Sequence, residues 1–209
     1  SKKRGLPPLE DAPQFGRTTK ASASGISLPH GIDANLKEKA AALEEAGQSA
    51  GKFKITSGKL LDAVLEGATG QAREDLQAVK VLQDLFGAPV ALLTSEGKFK
   101  FNGVYHRGMI WLDANSSVPL PVLFGHELLH RMRNDNPAIY DTLHKALAPM
   151  LRNMDAYEER LSLYGMKDDK IAEEMLGDIM GDRFGEPMFW QQVAANTSRS
   201  DFNRIVTAI

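Results

Sequence analysis

Two histidines and a glutamate lie close together in the run His-Glu-Leu-Leu-His at positions 126 to 130. In an α-helix, residues four positions apart lie on the same face, one turn from each other. On a helix, His126 and His130 can therefore both direct a ring nitrogen to one Zn²⁺ ion. Glu127 directly follows the first of these ligands and is close enough to deprotonate a metal-activated water. The pattern predicts zinc-assisted hydrolysis with Glu127 as the general base.

The residues around this motif have the spacing of a partly buried helix over about residues 120–133. The apolar side chains that would form the buried face are Leu123, Phe124, Leu128, Leu129 and Met132. Ser116 or Ser117 is placed to cap the start of this helix, and Asn136-Pro137 is expected to end it.

A catalytic zinc site normally has three protein ligands and one open position, so a third ligand is needed. The extended motif with a third histidine is excluded, because Arg133 and Asn136 stand where that motif needs Gly and His. His144 lies 14 positions after His130 (144 − 130), on the next predicted helix, and is a weaker candidate.

The better candidate for the third ligand is Glu174, 44 positions after His130 (174 − 130), in a second helical segment. Asp178 lies one turn further along the same face and can accept a hydrogen bond from a ligand histidine. Glu173 is the alternative ligand, although the position four residues beyond it is Gly177, which carries no carboxylate.

Two glycines in this second segment, Gly177 and Gly181, would allow the two helices to approach closely, as a shared metal requires. The alternative interpretation of the segment is a solvated acidic helix face that pairs with Lys170 or Arg183.

The run Gly125-His-Glu-Leu-Leu-His, followed by Glu174-Met-Leu-Gly-Asp178, resembles the glutamate-zincin metallopeptidases (gluzincins). The resemblance covers about residues 88–185. Together with the strand-like run Met109-Ile-Trp-Leu-Asp113, it is similar to zincin-like domains embedded in large phage, mobile-element or effector proteins.

The resemblance implies a protein or peptide substrate that adds as a strand to Met109–Asp113, at the edge of a sheet. It also implies a Tyr or His that stabilises the oxyanion. Four residues remain open for that role: Tyr140, Tyr157, Tyr164 and His106.

The elements around these motifs predict an α+β fold, mainly helical, with a small antiparallel or mixed sheet beside the active-site helix. Helices are expected over about residues 32–46 (capped by Asp33), 55–65, 71–86, 120–133, 138–151, 155–163, 170–184, 188–194 and 201–208. Strands are expected over about residues 89–93, at Phe99 and Phe101, at Val104-Tyr105 and over 109–112.

The predicted organisation is a flexible arm or linker over residues 1–30, a helical N-terminal part over 31–87 and a zincin-like catalytic part over 88–209. The last two parts are expected to form one compact domain. The start of the chain suggests a piece cut from a longer protein, or one processed at its beginning.

The composition excludes several classes of function. The 25 basic and 27 acidic residues give a net charge of −2 and form no basic stripe, so neither nucleic acid nor a membrane is an expected partner. The chain has no cysteine, which excludes disulfides, Cys-ligated metals and a Cys nucleophile. It also shows neither a signal peptide nor a transmembrane run. The location stays open between the cytoplasm, delivery within a larger protein and other compartments, and the oligomeric state stays open as well.

These observations predict a zinc-dependent peptidase, a hydrolase that uses a metal-activated water and no covalent intermediate. The metal ligands would be His126, His130 and Glu174, with Glu127 as base and Asp178 in support. Two other functions stay open: a catalytically silent zincin-fold interaction module, and a metal-dependent hydrolase that cleaves a non-peptide bond.

Overall fold

A computed structural model describes residues 26–47, 53–97, 102–151 and 168–208 of the chain. Residues 1–25 of the predicted arm lie outside these ranges. The predicted helix over 155–163 and the predicted strand at Phe99 and Phe101 also lie outside them.

The described strands form one mixed sheet, in the spatial order β1-β2-β3-β5-β4. They are β1 (Gly31–Ile32), β2 (Phe53–Leu60), β3 (Val90–Gly97), β4 (Gly103–His106) and β5 (Met109–Asp113). β1 pairs parallel with β2 and β3 parallel with β5, whereas β2 with β3 and β4 with β5 are antiparallel. The mainly helical α+β fold with a mixed sheet is therefore confirmed.

Eight α-helices and one 3₁₀ turn (Ala34–Leu36) accompany this sheet in the described residues. The helices are α1 (Lys37–Gly47), α2 (Leu61–Gly67), α3 (Gly70–Phe86), α4 (Leu120–Asp135), α5 (Pro137–Leu151), α6 (Asp168–Arg183), α7 (Pro187–Ala195) and α8 (Arg199–Ala208). The bounds of α3 to α8 agree with the predicted helices to within two residues. Gly87, with φ of 56°, ends α3 in the left-handed conformation, as expected of a glycine stop.

The helix predicted over residues 55–65 is wrong in its first half, because Phe53–Leu60 is strand β2. Phe53, Ile55 and Ser57 are buried and the residues between them are not, which is the two-residue period of a strand. Helical spacing begins only at Leu61, the first residue of α2. β2 pairs with β3, so the predicted helical N-terminal part contributes a strand to the common sheet.

The sheet lies between two apolar clusters. On one face, Val90, Leu92, Ile110 and Leu112 pack with the helical layer that contains α4. On the other face, the alternate residues of the same two strands pack with α1; they are Ala91, Leu93, Met109 and Trp111. Because β3 and β5 are buried on both faces, they appear in the sequence as continuous apolar runs.

Two of the predicted helix caps are wrong. Asp33 precedes the 3₁₀ turn and makes no capping bond; its carboxylate binds Lys59 Nζ at 2.7 Å. The N-cap of α4 is Pro119, whereas Ser116 Oγ accepts a hydrogen bond from the backbone N–H of Val118. Asn136 follows the last residue of α4, as expected. No helix in the described part of the chain is long and apolar enough to cross a membrane.

Candidate metal centre

Helices α4 and α6 approach each other closely at two glycines of α6. A Cβ atom on Gly181 would lie 2.5 Å from the carbonyl oxygen of Val122 on α4. A Cβ atom on Gly177 would lie 2.7 Å from Cε1 of His126. Only glycine fits at these positions without movement of α4, so the predicted role of both residues is confirmed.

This crossing brings together His126, His130 and Glu174, although Glu174 is 44 positions from the nearer histidine. The Nε2 atoms of the two histidines are 3.0 Å apart. The carboxylate oxygens of Glu174 lie 3.4 Å from Nε2 of His126 and 3.9 Å from Nε2 of His130. The three predicted ligands therefore present their atoms to one point.

The spacing of these atoms can be compared with a tetrahedral zinc site. Ligand bonds of 2.0–2.1 Å place neighbouring ligand atoms about 3.3 Å apart. The two histidine nitrogens are 3.0 Å apart, and different oxygens of Glu174 lie 3.4 and 3.9 Å from them. With one ligand atom from each residue, all three atoms lie within 4.8 Å of one another, so the side chains would move closer to hold such an ion. Two imidazoles and one carboxylate are also a donor set that suits zinc.

Each histidine is held from behind by a carboxylate on α6. Asp178 Oδ1 lies 3.0 Å from Nδ1 of His126, as the sequence predicted for a ligand histidine. Glu173 Oε1 lies 2.7 Å from Nδ1 of His130. A hydrogen bond at Nδ1 fixes the ring orientation and leaves Nε2 free to bind a metal.

Glu173 does not join the ligand trio and instead orients a ligand, a role that the sequence analysis missed. Its side chain is buried, and it forms ion pairs with Arg133 of α4 and with Lys170 of α6. These two cations lie against the buried carboxylate and offset the cost of burying it. The sequence feature that could have indicated this role is the adjacent pair Glu173-Glu174. One of the two acids can bind the metal while the other contacts a ligand histidine of α4. Arg183, the other predicted partner of this acidic face, pairs with Glu186.

Glu127 is buried against the edge strand β4, with 5% of its surface exposed. The backbone N–H of Tyr105 donates to Glu127 Oε2 at 2.9 Å. Gly103 leaves room for this contact, because a Cβ atom there would lie 3.0 Å from Glu127 Oε1. The predicted base is therefore oriented by the strand and lies next to both histidines in sequence and in space.

The surroundings of the two histidines shift their pKa values in opposite directions. Burial alone would lower the pKa of His126, but the hydrogen bonds with Asp178 and Glu174 outweigh it and raise that pKa well above 6.5. Burial and the charge of His126 lower the pKa of His130. Burial raises the pKa of Glu127, whereas the two histidines outweigh burial at Glu174 and lower its pKa. These shifts favour positive charge on His126 rather than on His130, and negative charge on Glu174.

The centre lies in an open cleft of about 650 Å³. One wall is the edge strand, at Gly103, Val104 and Tyr105. The other lining residues come from α4 and α6; they are His126, Glu127, His130, Arg133, Asn134, Lys170, Glu173 and Glu174. An open cleft beside three converging ligands leaves room for a substrate.

The strand Met109–Asp113, which the resemblance implied as the edge of the sheet, is an interior strand. Met109–Asp113 is β5, which pairs with β3 on one side and with β4 on the other. Because both of its sides are occupied, it cannot accept an added strand, and the predicted substrate strand at Met109–Asp113 is wrong. The strand that faces the cleft is β4, Gly103–His106.

The remaining candidates among the described residues do not line the cleft. Tyr140 and His144 stack on each other on α5, with ring centroids 6.1 Å apart, and neither lines the cleft. His106 is on β4, and its Nε2 is buried without a hydrogen-bond partner in the described part of the molecule. Burial lowers the pKa of His106. Tyr157 and Tyr164 lie outside the described residues.

No protein-family model, curated protein or solved structure matches this chain.

Proposed function

We propose that this protein is a zinc-dependent peptidase of the zincin-like type. The observation that carries the proposal is the convergence of His126, His130 and Glu174 on one point, with Glu127 beside them in an open cleft. A purely structural zinc site would need neither an adjacent base nor a cleft, because such sites use four protein ligands. The substrate would be a protein or a peptide.

The residues of the centre have distinct roles in this proposal. His126, His130 and Glu174 would hold the ion, while Asp178 and Glu173 hold the histidine rings. A zinc ion held there would supply Lewis-acid chemistry, which lowers the pKa of water to roughly 7 and polarises a carbonyl group.

Glu127 carries the protons in this reaction. The N–H of Tyr105 holds one of its oxygens, so the other is free to accept a proton from the attacking water. Glu127 then passes this proton to the leaving amine, and no bond forms between the protein and the substrate. Burial raises the pKa of Glu127 above its ordinary value, which is the direction that suits a group that takes up a proton and then releases it.

The test measures bound zinc by elemental analysis and cleavage of an unbiased peptide library. It compares the wild type with Glu127→Gln and Glu174→Gln, and uses Glu66→Gln, an exposed change on α2, as the control. We expect one zinc per chain in wild type, Glu127→Gln and the control, and less in Glu174→Gln. Cleavage should fall by about 10²–10⁴-fold in Glu127→Gln, the usual contribution of a general base.

Two outcomes would contradict the proposal. Absence of zinc from the wild type after reconstitution would remove the metal centre. Zinc-loaded wild type that cleaves no peptide would favour the silent interaction module or the hydrolase of a non-peptide bond.

A further inference from the structure

The proposed reaction lacks an assigned donor for the substrate carbonyl oxygen. Attack by water places negative charge on this oxygen, and hydrogen-bond donors aimed at it are a large part of enzymatic rate enhancement. Neither Tyr140 nor His106, the described residues that the sequence offered, lines the cleft. The donor must be sought among the side chains that do.

Four side chains other than the histidines bring hydrogen-bond donors to the cleft, and three of them bind carboxylates outside the ligand trio. Tyr105 Oη and Asn134 Nδ2 both donate to Asp135, at 3.0 and 2.8 Å. Arg133 donates to the buried Glu173, and its guanidinium lies 5.6 Å from the ring centre of Tyr140. Tyr105 and Asn134 are thereby held at Asp135, the last residue of α4, and Arg133 is held at the carboxylate that contacts Nδ1 of His130.

The fourth donor, Lys170, lies at the ligand trio itself. Its Nζ is 2.9 Å from Glu174 Oε1 and 3.1 Å from Glu173 Oε2. Among the described residues that line the cleft, it is the lysine or arginine whose charge contacts a ligand carboxylate. Its side chain is 48% exposed, so the ammonium group can turn toward a substrate and keep Glu174 as a neighbour.

Lys170 and Glu127 approach the histidine pair from different walls of the cleft. Glu127 is held against β4 by Tyr105, whereas Lys170 projects from α6. A carbonyl group between these walls would have the base on one side and the cation on the other. Hydrolysis needs this arrangement, because the proton leaves the water while charge accumulates on the carbonyl oxygen.

We propose that Lys170 is the catalytic residue that binds the carbonyl oxygen of the substrate as it becomes negative; the proposal rests on the proposed peptidase function. In this step Glu127 takes a proton from water, and the water oxygen bonds to the carbonyl carbon. The π electron pair of the carbonyl moves onto its oxygen. Lys170 donates an N–H to that oxygen, and the bond to the leaving amine is still intact.

The test uses anion binding rather than turnover, with Co²⁺ as the probe metal. Protein saturated with Co²⁺ is titrated with acetate, which brings an anionic oxygen, and with imidazole, a neutral ligand. The visible absorption of the metal reports both. The variants are Lys170→Met, Lys170→Arg and the control Lys145→Met, which changes an exposed lysine of α5 outside the cleft. Circular dichroism verifies that each variant is folded.

We expect Lys170→Met to weaken acetate binding by at least about tenfold, the usual effect of a hydrogen bond to a charged group, with imidazole binding nearly unchanged. Lys170→Arg should restore most of the acetate affinity, and Lys145→Met should behave as wild type. Unchanged acetate affinity in Lys170→Met, or equal losses for acetate and imidazole, would overturn the role of Lys170. A wild type that binds no Co²⁺ would instead overturn the proposed function, and this proposal with it.

Discussion

The two histidines of the centre are each oriented by a carboxylate from α6, but the two carboxylates differ in their surroundings. Asp178 is 40% exposed, whereas Glu173 is buried between His130, Arg133 and Lys170. A buried hydrogen bond to an ionised group is stronger than one in water. Glu173 should therefore contribute more to metal affinity than the acid that the sequence motif identified.

We expect Glu173→Gln to lower the affinity for Zn²⁺ by about 10–100-fold, because the neutral amide holds the Nδ1 proton of His130 less firmly. Asp178→Asn should have the smaller effect. A competition titration against a chromophoric chelator measures both, with Glu74→Gln, an exposed change on α3, as the control. Equal affinity in wild type and Glu173→Gln would show that His130 needs no such partner.

His106 is a second residue whose surroundings make a prediction. Burial and the nearby Arg107 lower its pKa below the ordinary value of 6.5, and its Nε2 has no partner in the described residues. The unfolded chain therefore takes up this proton at a higher pH than the folded chain. The stability that the neutral ring provides is present above pH 6.5 and is lost as the pH falls toward the lowered pKa.

His106→Gln removes this titration, so we expect its free energy of unfolding to fall less between pH 7 and pH 5 than that of the wild type. Urea unfolding at several pH values measures the difference. Parallel curves for the two proteins would mean that His106 titrates alike in both states.

At the scale of elements, the centre depends on how closely α4 and α6 cross. Gly181 faces a backbone carbonyl of α4, which cannot turn aside as a side chain can. The same crossing sets the distance between the ligand histidines and Glu174. A change in the packing of these two helices would therefore also change the geometry of the metal centre.

Gly181→Ala should lower the free energy of unfolding by about 1–3 kcal/mol, because the added methyl group forces the helices apart. Gly67→Ala is the matched control, since a Cβ atom on that helical glycine meets nothing within 4 Å. It should be neutral or slightly stabilising. Denaturant unfolding of both variants makes the comparison, and a neutral Gly181→Ala would mean that the crossing adjusts freely.

At the scale of the whole molecule, a metal at this centre would connect parts of the chain that are distant in sequence. His126 and His130 come from α4 and Glu174 from α6, and α4 also packs against the sheet. An ion that binds only the assembled site stabilises the folded state by mass action.

We expect free Zn²⁺ at 100 times its Kd to raise the free energy of unfolding by about 2.7 kcal/mol. A chelator should reverse the increase, and Glu174→Gln should lose most of it. Thermal unfolding with added zinc and with chelator tests this. An equal response of wild type and Glu174→Gln would place the stabilising ion elsewhere.

Local patterns in the sequence were sufficient to predict many of the helices and strands and the spacing of the candidate site residues. The spacing of His126, Glu127 and His130 requires only one helix turn, and the same is true of Glu174 with Asp178. The helix bounds from α3 onward and the buried strands β3 and β5 followed from hydrophobic periodicity, which is also a local property. The α+β class followed from these elements, which left open whether the sheet was antiparallel or mixed.

Other features were decided only by tertiary structure, because they depend on pairing between distant segments. Strand β2 forms by pairing with β3, and the position of β5 inside the sheet depends on partners on both of its sides. The spacing to Asp178 favoured Glu174 over Glu173 as ligand, but the contact of Glu173 with His130 depends on the crossing of α4 and α6, which no spacing within one helix contains. The ion pair of Lys170 with Glu174 lies within one turn of α6 and is a local property. Only the crossing with α4 brings the ligand histidines beside this pair, because they come from another helix.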